Sequence, residues 1–396
     1  MKKKLFMVLT SVFLLTACAP NFGEQEEIVQ ETEDESKETA IIPKYNISDS
    51  YYRMILPFKP GEARGLVSQQ LNTRLDIDEF ETGLMRVAQD TFPTEKEYLY
   101  QEGQYLKGDV INSWLKRKLT GKKLEETQAE AKEDDKEYIE LGLNPALPEG
   151  TDNLEQKNKE NPIYLAHMLE HNYLIRKDDT VELGGVVIGL AMNSVYYFKQ
   201  EDGYAREHKI SREEILSKGN EIAQEVINRV RKTKGLENVP IVIALYEQEE
   251  KSSIVPGNFI AKNVVKQGSN SLSKWEEIDE EYYFFPSTEA TSVYRDDAQM
   301  FNRFKQDIEE FFPNYTGVIG KAFYKNGELN YLDIEIPMQF YGKAEVVAFT
   351  QFVTGKVMDY FPDYISLEVN IMSNSDQEAL VLKEPNQETP TVHIYK

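Results

Sequence analysis

The chain has 396 residues, 40% hydrophobic and 11% aromatic, with 68 acidic against 45 basic residues and a formal charge of −23. So acidic a surface repels phosphate backbones and anionic headgroups alike, which excludes nucleic-acid binding and electrostatic adsorption to a membrane. One cysteine, Cys18, excludes an internal disulfide, and four histidines without a second cysteine exclude Cys–His structural zinc.

The first eighteen residues, MKKKLFMVLTSVFLLTAC, read as an export signal. Lys2, Lys3 and Lys4 form a positive n-region, Leu5 to Leu15 an apolar run too short to span a bilayer stably, and Thr16 and Ala17 a small-residue cleavage site. Leu15-Thr16-Ala17-Cys18 also has the form of a bacterial lipobox. Cleavage then falls between Ala17 and Cys18, and the Cys18 thiol takes a diacylglyceryl thioether. Two acyl chains suffice for stable anchoring, at ~0.8 kcal/mol per buried methylene. The expected location is the extracellular face of a Gram-positive cell membrane. The expected processing partners are signal peptidase and the lipid-transfer machinery.

From Cys18 on, 379 residues remain, enough for more than one domain. Residues 18–46 carry eight acidic side chains between Glu24 and Glu38 against the single Lys37, and are expected to be a disordered tether. DSYYRMILPF, Asp49 to Phe58, predicts a strand and then a turn at Pro60-Gly61. Phe80, Leu84, Val87 and Ala88 share one face of a helix, and QEGQYL reads as extended structure broken at Gly103. Asp109 is placed as the cap of a helix reaching Trp114 to Leu119, and Glu125 to Glu140 as a solvated helix. Pro162 is expected to open a helix over IYLAHMLEHNYL. VELGGVVIGLAMNSVYYF, Val181 to Phe198, is β-rich, Ser211 caps a helix striped by Ile215, Ile222, Val226 and Val230, and VPIVIALYEQ is a buried strand.

A similar order returns in the second half. Tyr282-Tyr283 through Pro286 matches Tyr51-Tyr52 through Pro57, and the helix Ala298 to Phe312 is set against IYLAHMLEHNYL. Val-Ile-Gly at 187–189 matches 318–320, the helix Lys343 to Phe361 matches the one after Ser211, and Ile365 to Ser373 matches VPIVIALYE. Val187 to Val318 and Ser211 to Gly342 are both 131 residues apart, whereas the Tyr-Tyr pairs lie 231 apart. The expected fold class is α+β with two tandem related modules, 47–260 and 261–375. The first carries an insertion of roughly 100 residues at about 65–160, and 376–396 form a tail whose end could add an edge strand.

Signal and modules together resemble the CamS-type sex-pheromone lipoprotein family of Gram-positive bacteria. The resemblance rests on the lipobox, YYRMILPFKPGEARG, QEGQYL, VVIGLAMNSVYYF and the paired helix–strand units, and spans essentially the whole chain. It implies two structural repeats, and a signal peptide whose last residues are exported as a short hydrophobic peptide that induces conjugative plasmid transfer. Here that heptapeptide is Ser11-Val12-Phe13-Leu14-Leu15-Thr16-Ala17, which keeps the family's small, β-branched, Phe, aliphatic, Leu, small, small pattern. Its implied partner is a pheromone receptor. Val12, Leu14 and Thr16 depart from the family's side chains.

The mature domain is expected to be non-enzymatic and without cofactor. Two other readings compete. His167-Met-Leu-Glu170-His171 fits HxxEH, and on a helix both imidazoles could share a zinc ion with Glu170 as general base. The aromatic side chains, Tyr51, Tyr52, Tyr282 and Tyr283 among them, could instead line a groove for peptide or cell-wall material.

Overall fold

The computed structural model describes residues 26–31, 37–43, 47, 51–94, 98–133, 139–148, 153–200, 202–311, 317–373 and 376–396. Cys18, the Ala17–Cys18 cleavage site and the heptapeptide Ser11 to Ala17 lie outside the described residues.

Two sheets organise the chain. The first contains β1 (Glu26–Glu31), β2 (Lys37–Ile42), β3 (Arg53–Met54), β4 (Leu99–Glu102), β5 (Leu165–Lys177), β6 (Thr180–Asn193), β9 (Ile241–Gln248), β10 (Asn258–Val265) and β11 (Glu276–Glu277). A separate hairpin, β7 (Val195–Lys199) and β8 (Ala205–Lys209), follows β6. The second sheet contains β12 (Glu280–Phe285), β13 (Ile319–Lys325), β14 (Glu328–Met338), β15 (Ser366–Ser373), β16 (Asp376–Lys383) and β17 (Thr391–Ile394). The principal helices are α1 (Arg74–Ala88), α2 (Gly108–Trp114), α3 (Gly121–Glu133), α4 (Arg212–Val230), α5 (Arg295–Phe311) and α6 (Lys343–Tyr360).

Both sheets follow one chain path. In the first, the β5–β6 antiparallel pair leads through α4 to β9, which pairs parallel to β6 and antiparallel to β10. In the second, β13–β14 leads through α6 to β15, parallel to β14 and antiparallel to β16. β4 flanks β5 as β12 flanks β13. α4 and α6 begin at Arg212 and Lys343.

The sheets are covered differently, and the side-chain periods say why. Along β6, Val186, Ile188, Leu190 and Met192 pack with α4, whereas Val187 and Ala191 pack with Phe80, Leu84 and Val87 of α1. A sheet buried on both faces needs continuous apolar runs, which VVIGLAM and IVIALY supply. In β15, Leu367, Val369 and Ile371 are buried while alternate residues are half-exposed, and α5 and α6 share that single core. Period-two alternation is the mark of a sheet covered on one face.

Several expectations are corrected. IYLAHMLEHNYL forms no helix: Leu165–Lys177 is the long strand β5, running between β4 and β6. Its apolar positions satisfy a helical stripe, yet the partner strands on both sides decide the backbone. Part of the presumed tether is ordered too. β1 pairs with β2, and Val29 and Gln30 run parallel to Thr180 and Val181. Ala40 and Ile42 bury with Ile55, Leu99, Leu174 and Val181, so the apolar residues between the acids suffice for a hairpin. The strand near Tyr51 shrinks to Arg53–Met54, with Leu56 bridging to Ile41. Lys107, not Asp109, is the N-cap of α2; Asp109 sits in its first turn. The presumed tail is part of the second sheet: it supplies β16, whose Ala379 and Val381 belong to the second core, while its end adds the edge strand β17 as expected.

The Val-Ile-Gly match also changes meaning. Gly189 lies on β6 and Gly320 on β13, which occupy different places in their sheets. Each makes room for a helix phenylalanine: a Cβ on Gly189 would sit 2.8 Å from the Phe80 ring, and one on Gly320 2.7 Å from the Phe301 ring. Likewise, the place of Tyr282-Tyr283 in its sheet corresponds to Leu99–Tyr100, not to Tyr51-Tyr52.

The sheets meet through a buried charge network. Arg86 of α1 contacts Glu79 at 2.5 Å and Glu280 at 2.7 Å, and its guanidinium lies 4.6 Å from the centre of the Phe323 ring. Tyr282 donates to Glu79 at 2.6 Å. Burial opposes the Arg86 charge, but Glu79 and Glu280 outweigh it and hold the guanidinium pKa above its ordinary value.

Candidate functional site

β4 runs beside β5 only as far as Glu102, which pairs with His171; Gly103 then turns away, its N–H donating to the Glu170 carbonyl at 3.1 Å. A cleft of about 240 Å³ opens where β4 departs and straddles the edge of β5. His167, Leu169 and His171 line it from the sheet face that carries α1, and Met168 and Glu170 from the other. The segment Gly61 to Val67 closes it, and Glu81 and Met85 enter from α1.

Each polar group here has a distinct environment. Glu170 is buried and accepts from the backbone N–H of Leu106 at 2.6 Å, from that of Tyr105 at 3.2 Å and from Asn172 Nδ2 at 2.6 Å. Burial raises its carboxyl pKa, and these bonds pull it partly back. It therefore pins the turn after Gly103 to the strand. Glu102 does the same for the facing loop, accepting from the Gly61 N–H at 2.6 Å.

His167 and His171 are 1% and 2% exposed. Burial alone pushes the His167 imidazole down to about 4 and His171 down to about 3, so both rings are neutral at physiological pH. His171 meets Tyr100 edge-on at 5.0 Å, and His167 lies 6.3 Å from Phe80. Neither Nδ1 atom has a hydrogen-bond partner. At the mouth stand Arg64, packed 5.1 Å from the Phe58 ring, and Glu81. Partial enclosure, then the nearby Glu102 and Asp78 carboxylates, raise Glu81, while Arg74 and Arg64 lower it.

The zinc reading of His167, Glu170 and His171 is overturned here. Positions four apart on a strand are about 13 Å apart, and Glu170 points to the opposite face from both histidines. Among the described residues no group of three His, Cys, Asp or Glu side chains could hold a metal ion.

The four tyrosines do not form a groove either. Tyr52 is buried against Tyr173 at 4.8 Å and donates to the Phe92 carbonyl, whereas Tyr51 is half-exposed. Tyr282 joins the charge network, and Tyr283 packs on Tyr294 and Tyr324. His208 lies on β8, and His393 on β17 packs against Tyr395. A depression of about 570 Å³ beside Pro286 to Ser292 is broadly open and lined by no ionisable side chain.

Reading the sequence missed Arg64, Glu81, Tyr100 and Glu102 as a group. The available signal was that YYRMILPFKPGEARG and QEGQYL, singled out separately, hold chemistry-bearing residues without a local structural need. The two segments are neighbours only because β3 lies parallel to β4.

Among the described residues, no helix is long and apolar enough to cross a membrane. A family model for the CamS sex pheromone cAM373 precursor matches residues 58–389. The chain is similar to the solved C-terminal domain of the sex pheromone staph-cAM373 precursor from Staphylococcus aureus. Identity is 31% over 83% of this chain and 99% of that one, with a TM-score of 0.69. It is also similar to the sex pheromone precursor from Lactobacillus salivarius subsp. salivarius UCC118, at 30% identity over 90% and 99% of the chains and a TM-score of 0.78. No curated protein matches it. With a fold, a sequence model and two solved relatives in agreement across most of its length, this chain belongs to the CamS sex pheromone cAM373 precursor family.

Proposed function

We propose that this protein is made as a lipoprotein precursor with two products. Signal peptidase cleaves between Ala17 and Cys18, Cys18 carries the lipid, and the mature chain stays on the extracellular face of the cell membrane. Ser11 to Ala17 is released as a hydrophobic pheromone peptide. The observation that carries this reading is the lipobox Leu15-Thr16-Ala17-Cys18 at the head of a chain that matches a pheromone-precursor family over 58–389. A surface charge of −26 after loss of the three signal lysines supplies no attraction to anionic lipid, so the anchor must be covalent.

The mature part acts by binding, not by catalysis. In support, its one motif with a catalytic spacing is split across the two faces of β5. The shared path of the two sheets supports descent from one repeated α+β unit, the first copy having gained segments before β5.

Mass spectrometry of the cell membrane and the culture supernatant tests the precursor reading. The expected products are an acylated Cys18 N-terminus in the membrane and free SVFLLTA in the medium, with Cys18→Ala abolishing the first. An unacylated mature chain from wild-type cells overturns the anchor. A synthetic SVFLLTA that induces no mating response overturns the pheromone role and leaves the anchor standing.

A further inference from the structure

The cleft beside β5 has the features of a binding site that nothing in the precursor's processing requires. Two imidazoles sealed from bulk water each leave a ring nitrogen unpaired. Both rings line a preformed cavity whose floor is apolar, with Leu106, Ile111 and Met168 on one side and Met85 on the other. At the mouth the charge is unbalanced, two carboxylates of Glu81 and Glu102 against the one guanidinium of Arg64.

These properties narrow the ligand. At about 240 Å³ the cavity is smaller than sites for drug-sized molecules, and it suits one side chain with its attached polar end. The surplus negative charge rejects an anion. The apolar floor rejects a sugar, whose hydroxyls would each need a partner. The separation of the histidines rejects a shared metal ion.

We propose that the cleft takes an apolar residue with a free α-amino group. The ammonium sits with Glu81 and Glu102, the carbonyl or carboxylate end faces Arg64, and the side chain fills the apolar floor beside the two imidazoles. A peptide amino terminus and a free amino acid share this chemistry. This inference is independent of how the signal peptide is processed, since every residue it uses lies after Cys18.

The four histidines make the test direct. Ring signals of His167, His171, His208 and His393 are followed by NMR in the detergent-solubilised full chain, titrated with Leu-Gly-Gly, N-acetyl-Leu-Gly-Gly or free leucine. Leu-Gly-Gly is expected to shift His167 and His171 and to leave His208 and His393, which do not line the cleft, in place. Acetylation is expected to weaken binding by about tenfold or more, the weight of one charge-assisted contact, and so is Glu81→Gln. Glu81 is exposed on α1, so that variant keeps its fold. Free leucine binding as well as the tripeptide supports the proposal with the free amino acid as ligand; weaker binding supports it with a peptide end. Equal affinity for the acetylated and free tripeptides overturns it, as does an absence of ring shifts up to about 10 mM.

Discussion

Glu170 and the histidines on either side of it show how a strand assigns neighbouring side chains to different tasks. The odd positions 167 and 171 enter the aromatic core around Phe80 and Tyr100, and the even position 170 turns to the backbone of Tyr105 and Leu106. The buried rings make stability depend on pH. Each imidazole pKa lies near 6.5 when unfolded, and falls to about 4 at His167 and about 3 at His171 when folded. Below about pH 6.5 the unfolded chain therefore binds more protons, so this stability is complete above that pH and is lost as pH falls toward 3. Glu170 shifts in the opposite sense, so the histidine contribution is read as a difference. Urea unfolding at pH 7 and pH 5 should show wild type losing about 2 kcal/mol more than His171→Gln between the two values. Equal losses would refute the neutral-ring account.

At the scale of elements, α4 and α6 each connect two parallel strands but begin differently. Ser211 accepts from the Glu214 N–H at 3.3 Å, whereas Gly342 offers no side chain to the first turn of α6. Gly342 has extended backbone, and a Cβ there would meet nothing within 4 Å. Ser211→Ala should therefore cost ~1 kcal/mol, and Gly342→Ser should stabilise by ~0.5 kcal/mol, both read from denaturant midpoints. A destabilising Gly342→Ser would show that this terminus needs glycine for a reason other than capping. The elements also show how far sequence reading reaches. α1, α4, α5 and α6 were all expected, because a helix that packs on one side must repeat its apolar residues along that side. At the turn joining β13 to β14, Asn326-Gly327 is legible from its dipeptide alone, since the two positive φ angles of 54° and 75° suit those residue types. β5 was not expected, since LAHMLEHNYL is buried on both faces and its apolar positions also fit a helical stripe.

For the whole molecule, the joint between the sheets rests on Arg86. It holds Glu280 on the second sheet and Glu79 on its own helix, with Tyr282 completing the set. Removing one member of a buried ion network leaves uncompensated charge and costs about 3–5 kcal/mol. Arg86→Ala should lower stability by that amount and split a single unfolding transition into two, as the sheets lose their coupling. Calorimetry distinguishes this from a variant that unfolds in one step at a lower temperature, which would place the coupling elsewhere. No sequence pattern marks this joint, because Glu79 and Tyr282 are 203 residues apart.

What the sequence determined by itself is local: the amphipathic helices, the Asn-Gly turn and the alternating strands of the second sheet. Each follows from a charge, a size or a period within about twenty residues. The tertiary structure alone decided the state of HMLEH, the order of KETAII within an acidic stretch, and the cleft. Strand pairing overrides local period, so β5 became a strand once β4 and β6 were available on both sides. The cleft depends on Arg64, Tyr100 and His171 coming together from three separate segments, and only the packing of β3, β4 and β5 side by side brings them there.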